Sequence, residues 1–569
     1  MAKPFSVLIL GGYGTFGARL ARLLCGERRV KLLIAGRHIE KARQFCAALP
    51  GAAGRTALRF DRDADVLAQL RAIEASLVVD ASGPFQAYGE SPYRVVEACL
   101  QCGIPYVDLA DGSGFVRGIT RFDDDAQARG IFALSGASTF PVLTAAVVRT
   151  LVRDLASVER IVGGVAPSPY AGVGLNVMRA IASYAGRPIR LRRGKRTQRA
   201  YALTETQTYV IAPPGRLPLR PIEFSLVDVP DLEMLADLWP EIDSVWMGAG
   251  PLPAILHRIL RGLAWLVRLR ILPSLSPLAP AMHWVSHGLH WGEHRGGMFV
   301  EVSGVGAEGR MATRSWHLLA EADDGPLIPS MAAAAVVRRC ISGRPPAAGA
   351  RAALRDFEIE DYESMFAGRT IYTGTRNPSR PDDNETLYRR LLGDAWQRLP
   401  EPIRVLHDVD KRKRVAGVAQ IERGKGLLAR LVATVFRFPP AGDDVAVIVE
   451  FDESQGRQIW TRRFGTHVFA SRQEAGRGRF DRLLCERFGL FAFGLAVVSD
   501  DRGLELRVRG WNCMGVNLPG CLAPRIDARE SVADGRFHFH VDIALPAIGP
   551  LVRYRGWLVP AEPSGQPLP

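Results

Sequence analysis

The chain has 569 residues, of which 47% are apolar and 23% charged, a balance that excludes wholesale disorder, a collagen-like repeat or a coiled-coil rod and leaves material for several cores. The formal net charge is +14, spread along the chain: from residue 384 onward 28 Lys and Arg stand against 22 Asp and Glu, a net of +6, which leaves +8 for the first 383 residues. No basic run is interleaved with aromatics as a nucleic-acid stacking platform requires, no stretch of about 18 apolar residues lacks a charge, and the apolar run 7–10 is too short for a signal peptide, so the expectation is a cytoplasmic protein that binds no nucleic acid.

In chain order, residues 6–10 form an apolar run that reads as a buried parallel strand; a glycine turn, Gly11-Gly12-Tyr13-Gly14-Thr15-Phe16-Gly17, and a helical run over 18–24 follow. Strand, glycine turn and helix together form a dinucleotide fingerprint. Gly12 is expected to allow the tight turn, Gly14 to let the backbone approach a pyrophosphate and Gly17 to let helix pack on strand, with Tyr13, Thr15 and Phe16 completing the cradle. A second strand, 31–35, leads to Arg37 about where a NAD-selective protein carries an acid for the ribose hydroxyls, so a planar cation suited to a 2′-phosphate favours NADP. A third strand, 57–60, ends in Asp61, placed near an adenine edge, and a fourth, 77–80, runs into Ala81-Ser82-Gly83-Pro84-Phe85. Ligands in an open parallel sheet lie beyond the carboxyl ends of its strands, so Ser82, Gly83 and Pro84 are expected to border the nicotinamide. The Cys99–Cys102 pair falls on a helix over 92–101, where packing explains it better than metal or redox chemistry, and eight cysteines in all make no disulfide framework. Strands at 106–109 and 131–134 complete a doubly wound α/β pattern.

The glycine turn, the run Asp80 through Gly89, the strand Tyr106-Val107-Asp108-Leu109 and the turn Gly136-Ala137-Ser138-Thr139-Phe140-Pro141 together resemble the NADP-binding part of the saccharopine dehydrogenase-like family, clearly over residues 5–150 and more loosely to about 345. The resemblance implies a redox cofactor, NADP, and an inserted α+β substrate or dimerisation domain at 151–325, whose return helix near 329–340 completes the Rossmann domain with 326–345. It implies no metal. Within this insert, 158–165, 206–211 and 298–305 read as strands and 174–185 and 254–272 as helices. On a helical projection His257, Arg258, Arg261, Trp265 and Arg268 share one stripe, leaving a wide apolar face suited to core, to a homodimer contact or to a membrane surface. His283, His287, His290 and His294 would share one helical stripe, read as a polar wall of the substrate cleft or an ordinary partly exposed face in preference to a metal site.

Proline, glycine and charge at 344–349 and 374–384 mark a linker region over 344–383. A helix at 387–392 precedes seven strand patterns, at 445–451, 458–464, 466–470, 490–498, 504–511, 537–543 and 551–558, which together predict a curved antiparallel sheet. Trp460-Thr461-Arg462-Arg463-Phe464-Gly465, Glu486-Arg487-Phe488-Gly489, Leu518-Pro519 and Tyr554-Arg555-Gly556 resemble the DUF4166 domain over about 384–560, a likeness that carries no function.

The expected protein is an NADP-dependent oxidoreductase that passes a hydride between nicotinamide and an unsaturated, imine or carbonyl substrate, small or lipid-like. Tyr88, Asp108 and Asp111 are the candidate proton donors, since they follow strand ends of the nucleotide domain. Two alternatives are a catalytically silent NADP sensor or scaffold, and a lipid-handling protein peripheral to the inner face of the membrane through 254–272.

Overall fold

The computed structural model describes residues 3–288, 291–377 and 385–561. The chain divides into two units: Met1–Tyr209 with Ile222–Tyr372, and Val210–Pro221 with Thr373–Pro569.

The first unit opens with β1 (Phe5–Leu10), β2 (Val30–Gly36), β3 (Gly54–Arg59), β4 (Leu77–Asp80), β5 (Tyr106–Asp108) and β6 (Phe132–Ser135). All pair in parallel, in the order β6-β5-β4-β1-β2-β3. Val7, Leu8, Ile9, Val78 and Val79 are fully buried, as a parallel strand covered on both faces demands. The order reverses between β1 and β4, and a crevice opens at that switch point. The helix Met331–Ile341 returns to pack on the first helix, and the Ser330 hydroxyl donates to the Phe16 carbonyl at 3.0 Å. A further strand, Gly349–Ala352, then pairs in parallel with β6. The described part of the expected linker, 344–377, is structured: it holds this strand, the helix Ile359–Phe366 and the strand Ile371–Arg376. Its prolines and glycines are turns between short elements, which composition does not distinguish from a flexible connection.

A second, mixed sheet is built on the long antiparallel pair Leu155–Ala166 and Arg295–Gly306, flanked by Ser244–Ala249 and Met311–Glu321. Its helices Leu175–Tyr184, Ala254–Arg268 and Ala279–Gly288 bear on the site described below.

The second unit is a closed antiparallel barrel. Arg412–Arg423, Gly442–Ser454, Arg457–Phe464, His467–Ala475, Leu484–Phe488, Phe491–Asp500, Gly503–Cys513, Arg525–Ala533, Arg536–Leu545 and Gly549–Pro560 each pair with the next, and the last pairs with the first. Closure leaves no free edge on this ring. The expected sheet had seven strands; Arg412–Arg423, Leu484–Phe488 and Arg525–Ala533 alternate charge with small or apolar residues and gave too weak a pattern to be seen. The helices Leu387–Leu392 and Glu401–His407 share one apolar core with the inward side chains of the barrel.

Candidate functional site

The cleft at the β1/β4 switch point has a volume of about 430 Å³. Its floor is the glycine turn. Gly11, at φ +69°, makes the left-handed step that ends β1, and a Cβ there would stand 2.8 Å from the Ala81 carbonyl oxygen. The tight turn is thus the work of Gly11 rather than Gly12, which lies instead against Ile9 and Ile34. A Cβ on Gly17 would come within 2.3 Å of the Gly11 carbonyl, so only glycine lets the helix α1 (Thr15–Leu24) sit this close to the strand. No side chain caps α1 and its first turn holds no acid, which leaves its leading amides to an anion. Tyr13 lies across the tip of β2: its hydroxyl accepts from the His38 backbone N–H at 3.1 Å, and its ring covers Gly36.

Arg37 lines the cleft, exposed and outside any ion pair among the described residues. A second cation, which the sequence reading missed, stands closer in. Arg62 follows the end of β3, its guanidinium 3.1 Å from the centroid of the Tyr88 ring, and its Nε and Nη2 are buried without a hydrogen-bond partner. Buried guanidinium nitrogens demand acceptors, and a cleft with unsatisfied donors beside a glycine turn fits a phosphorylated nucleotide. The only sequence signal was its place two residues past an apolar strand, which gives no weight to one arginine among many. Asp61 does not line the cleft; its Oδ1 accepts from the Asp63 backbone N–H at 3.1 Å in a local turn.

The wall beyond β4 is a polar knot. Ser82 Oγ donates to Asp80 at 2.5 Å and lies 2.8 Å from the Tyr88 hydroxyl, which in turn reaches Asp80 at 3.3 Å. Burial raises the Asp80 carboxyl, and burial with the Asp80 charge pushes the Tyr88 phenol far above its ordinary range. Tyr88 therefore stays protonated, and its ring packs on Phe85 at 4.8 Å to hold the loop. Ser82, Gly83, Pro84 and Tyr88 all line the cleft.

Asp108 does not. It is fully buried and does not line the cleft: its Oδ1 accepts from the Gly136 N–H at 2.8 Å and from Ala110 N–H and Ser135 Oγ at 3.0 Å, tying β5 to β6. Burial pushes it up to about 7, and its Oδ2 has no partner. A strand-end acid can point along the sheet as readily as into the crevice, so position alone misled. Asp111 does reach the cleft; Gln86 Nε2 donates to it at 3.0 Å and burial raises its carboxyl.

The roof is the helix Leu175–Tyr184, whose place over the cofactor turn nothing in the sequence marked. Asn176 Nδ2 donates to the Gly83 carbonyl at 2.8 Å, and Arg19 donates to the Ala171 carbonyl at 2.7 Å. Asn176, Val177 and Ala180 face the cleft, whereas Met178 and Ile181 line a second pocket of about 400 Å³. That pocket is apolar: Pro253, Leu256, Leu260 and Leu263 close one side and Leu278, Met282 and Val285 another.

The helix Ala254–Arg268 is turned otherwise than its projection suggests. His257 is buried with Nε2 2.7 Å from Ser225 Oγ, and burial lowers it to about 4; Arg261 pairs with Glu223, and Arg268 stacks on Tyr201 at 4.6 Å. His257, Arg261 and Arg268 tie the helix to its neighbours through these contacts, whereas Arg258 and Trp265 of the same stripe, and Ile255 and Ile259, are exposed. Of the histidines, His283 and His287 share the helix Ala279–Gly288, with ring centroids 4.1 Å apart. His294 lies outside the described helix, against Tyr170 and Asp323. His290 lies outside the described residues, and among those described no three of His, Cys, Asp or Glu gather as metal ligands.

Residues 7–134 match the saccharopine dehydrogenase NADP binding domain, and residues 399–558 match the domain of unknown function DUF4166. The first region is thus an NAD(P)-binding domain of that type. Among solved structures, the chain is similar to apo saccharopine dehydrogenase (L-Glu forming) from Saccharomyces cerevisiae, at 12% identity and a TM-score of 0.47 over 66% of this chain and 100% of that one. It is also similar to biliverdin reductase in complex with biliverdin and NADP+ from Synechocystis sp. PCC 6803, at 12% identity and a TM-score of 0.28 over 60% of this chain and 92% of that one. No curated protein sequence matches the chain. No described helix is long and apolar enough to cross a membrane.

Proposed function

We propose that the chain is an NADP-dependent oxidoreductase acting on an apolar, lipid-like carbonyl, imine or unsaturated substrate. The observation that carries this is the roof helix: one face closes the cofactor cleft and the other walls an apolar pocket large enough for a medium-length acyl chain. The bound cofactor supplies the hydride. The amides at the start of α1 and Arg62 hold its phosphates, and Arg37, with no competing acid bonded to it, selects the 2′-phosphate. Ser82, clamped by Asp80 and Tyr88, fixes the loop beside the reacting ring. Asp111, kept protonated further up the pH scale by burial, holds the proton that the reduced substrate takes up.

The exposed Ile255, Ile259 and Trp265 beside the apolar pocket support a membrane as the source of such a substrate. Titration of the wild type with NADPH and NADH tests the cofactor: NADPH binds at least tenfold tighter, and Arg37→Glu abolishes the preference while leaving NADH affinity unchanged (about 1.4 kcal/mol per tenfold). Consumption of NADPH with enals, ketones and imines of increasing chain length tests the chemistry. Turnover should rise with chain length; tight NADPH binding with no consumption by any of them would establish the silent sensor instead.

A further inference from the structure

The barrel has two unlike ends. In a meander each connection alternates ends, so the segments following Arg412–Arg423, Arg457–Phe464, Leu484–Phe488, Gly503–Cys513 and Arg536–Leu545 gather at one of them. The longest of these carries the helix Leu427–Val435, which is apolar nearly all round. Its inner face, Ala429 and Ala433 with Val432 and Phe436, packs on the barrel core. Its outer face, Leu427, Leu428, Leu431 and Val435, is between 62 and 84% exposed. A nine-residue helix in water places polar residues on such a face; here only one side has found cover.

The exposed patch continues onto the neighbouring turns. Phe436 meets Phe491 at 5.4 Å, the Met514 backbone N–H donates to the Leu490 carbonyl at 2.8 Å, and Leu490, Met514 and Val516 are each more than 60% exposed. His467 Nε2 lies 2.6 Å from the Arg437 carbonyl oxygen, which ties the turn after Arg457–Phe464 to the same tip. Charge accompanies the apolar surface. Lys425, Arg430, Arg437 and Arg525 sit at this end without ion pairs among the described residues, against the carboxylates Asp443 and Asp444, the first of which accepts from Gln420. Elsewhere on the barrel arginines pair with acids between neighbouring strands, as Arg412 with Asp452 at the opposite end and Arg553 with Asp542.

We propose that this end of the barrel is a docking tip for an anionic phospholipid bilayer, the helix Leu427–Val435 lying in the interface with its four outer side chains among the acyl chains and the unpaired cations at the headgroups. Exposed leucines alone would suit a second copy of the chain equally. The unpaired cations decide for the bilayer, because two copies would bring those cations together, whereas an anionic surface attracts each of them, roughly fivefold in affinity apiece. The proposal stands apart from the oxidoreductase reading and from the exposed face of the helix Ala254–Arg268.

The experiment is sedimentation of the full-length protein with vesicles of phosphatidylcholine, with and without phosphatidylglycerol. The wild type should bind the anionic vesicles preferentially, and added salt should weaken binding. Leu428→Glu with Leu431→Glu, at exposed positions that leave the core intact, should lower affinity at least about tenfold with an unchanged unfolding midpoint. Lys425→Glu with Arg430→Glu should abolish the preference for phosphatidylglycerol. Ile259→Glu with Trp265→Glu should leave the loss on Leu428→Glu/Leu431→Glu as large as in the wild-type background. Failure of the wild type to bind anionic vesicles, or indifference of binding to the leucine pair, overturns the proposal. Light scattering that shows a dimer broken by that pair, with no vesicle binding, overturns it in favour of a second copy.

Discussion

The residues that matter most in the first unit are those whose surroundings leave them unsatisfied, two in the nucleotide domain and one, Asp231, at the start of the helix Asp231–Leu238 beside the mixed sheet. Arg62 holds two buried donors without acceptors, and Asp108 and Asp231 carry buried oxygens without donors. For the two acids, burial has pushed both carboxyls up to about 7, from near 4 in an unfolded chain. Between those values the folded state binds more protons than the unfolded one, so stability is greatest at the acid end of this window and falls as pH rises through it. The thermal midpoint should therefore drop between pH 5 and pH 7.5 by about 2–4 °C for each kcal/mol lost, and Asp231→Asn, which cannot ionise, should flatten that slope. A midpoint that instead rose with pH in the variant and wild type alike would show that other carboxylates dominate the titration.

Among the elements, the barrel strands show how a polar network is kept inside an apolar core. Ser471 and Gln473 on one strand face Glu486 on the next: Ser471 Oγ donates to its Oε1 at 2.7 Å and Gln473 Nε2 at 3.1 Å, while Arg462 donates from a third strand at 3.3 Å. The Tyr388 hydroxyl donates to Gln473 at 3.0 Å, bringing the helix Leu387–Leu392 into the same net. Satisfied on all sides, such a net fixes which helix sits against which strand. Glu486→Ala leaves Arg462 buried without its counter-charge, for which a loss of about 3–5 kcal/mol is expected. Denaturant unfolding followed by tryptophan fluorescence reads it, and a change below about 1 kcal/mol would mean that water already solvates the arginine.

At the scale of the molecule, the helix Leu175–Tyr184 of the first unit lies between the nucleotide cleft and the apolar pocket, and the proposed division of labour can be tested there. Met178 faces only the apolar pocket, Asn176 only the cofactor cleft. Met178→Trp should fill the pocket, leaving NADPH affinity within about twofold while turnover of long-chain substrates falls at least tenfold relative to short ones (about 1.4 kcal/mol). Equal losses for both chain lengths would place the substrate elsewhere.

The sequence alone determined the Rossmann core, because its signals are local: β1, the glycine turn and α1 are contiguous, and an apolar run buried on both faces is visible without knowing its neighbours. It also determined that a β-rich domain follows, and many of its strands, since alternation survives in each strand separately. Only the tertiary structure decided what depends on partners far along the chain. Asp108 turned inward because Ser135 and Gly136 wait for it, Arg62 entered the cleft because Tyr88 offers its ring, and the strand Gly349–Ala352 found a place only beside β6. His257 was drawn inward by Ser225, which turned Ile255 and Ile259 outward and left Leu256, Leu260 and Leu263 to the apolar pocket. Barrel closure rests on the pairing of Arg412–Arg423 with Gly549–Pro560, more than a hundred residues apart, and a hydrogen-bonded register of that kind leaves no mark on the periodicity of either strand.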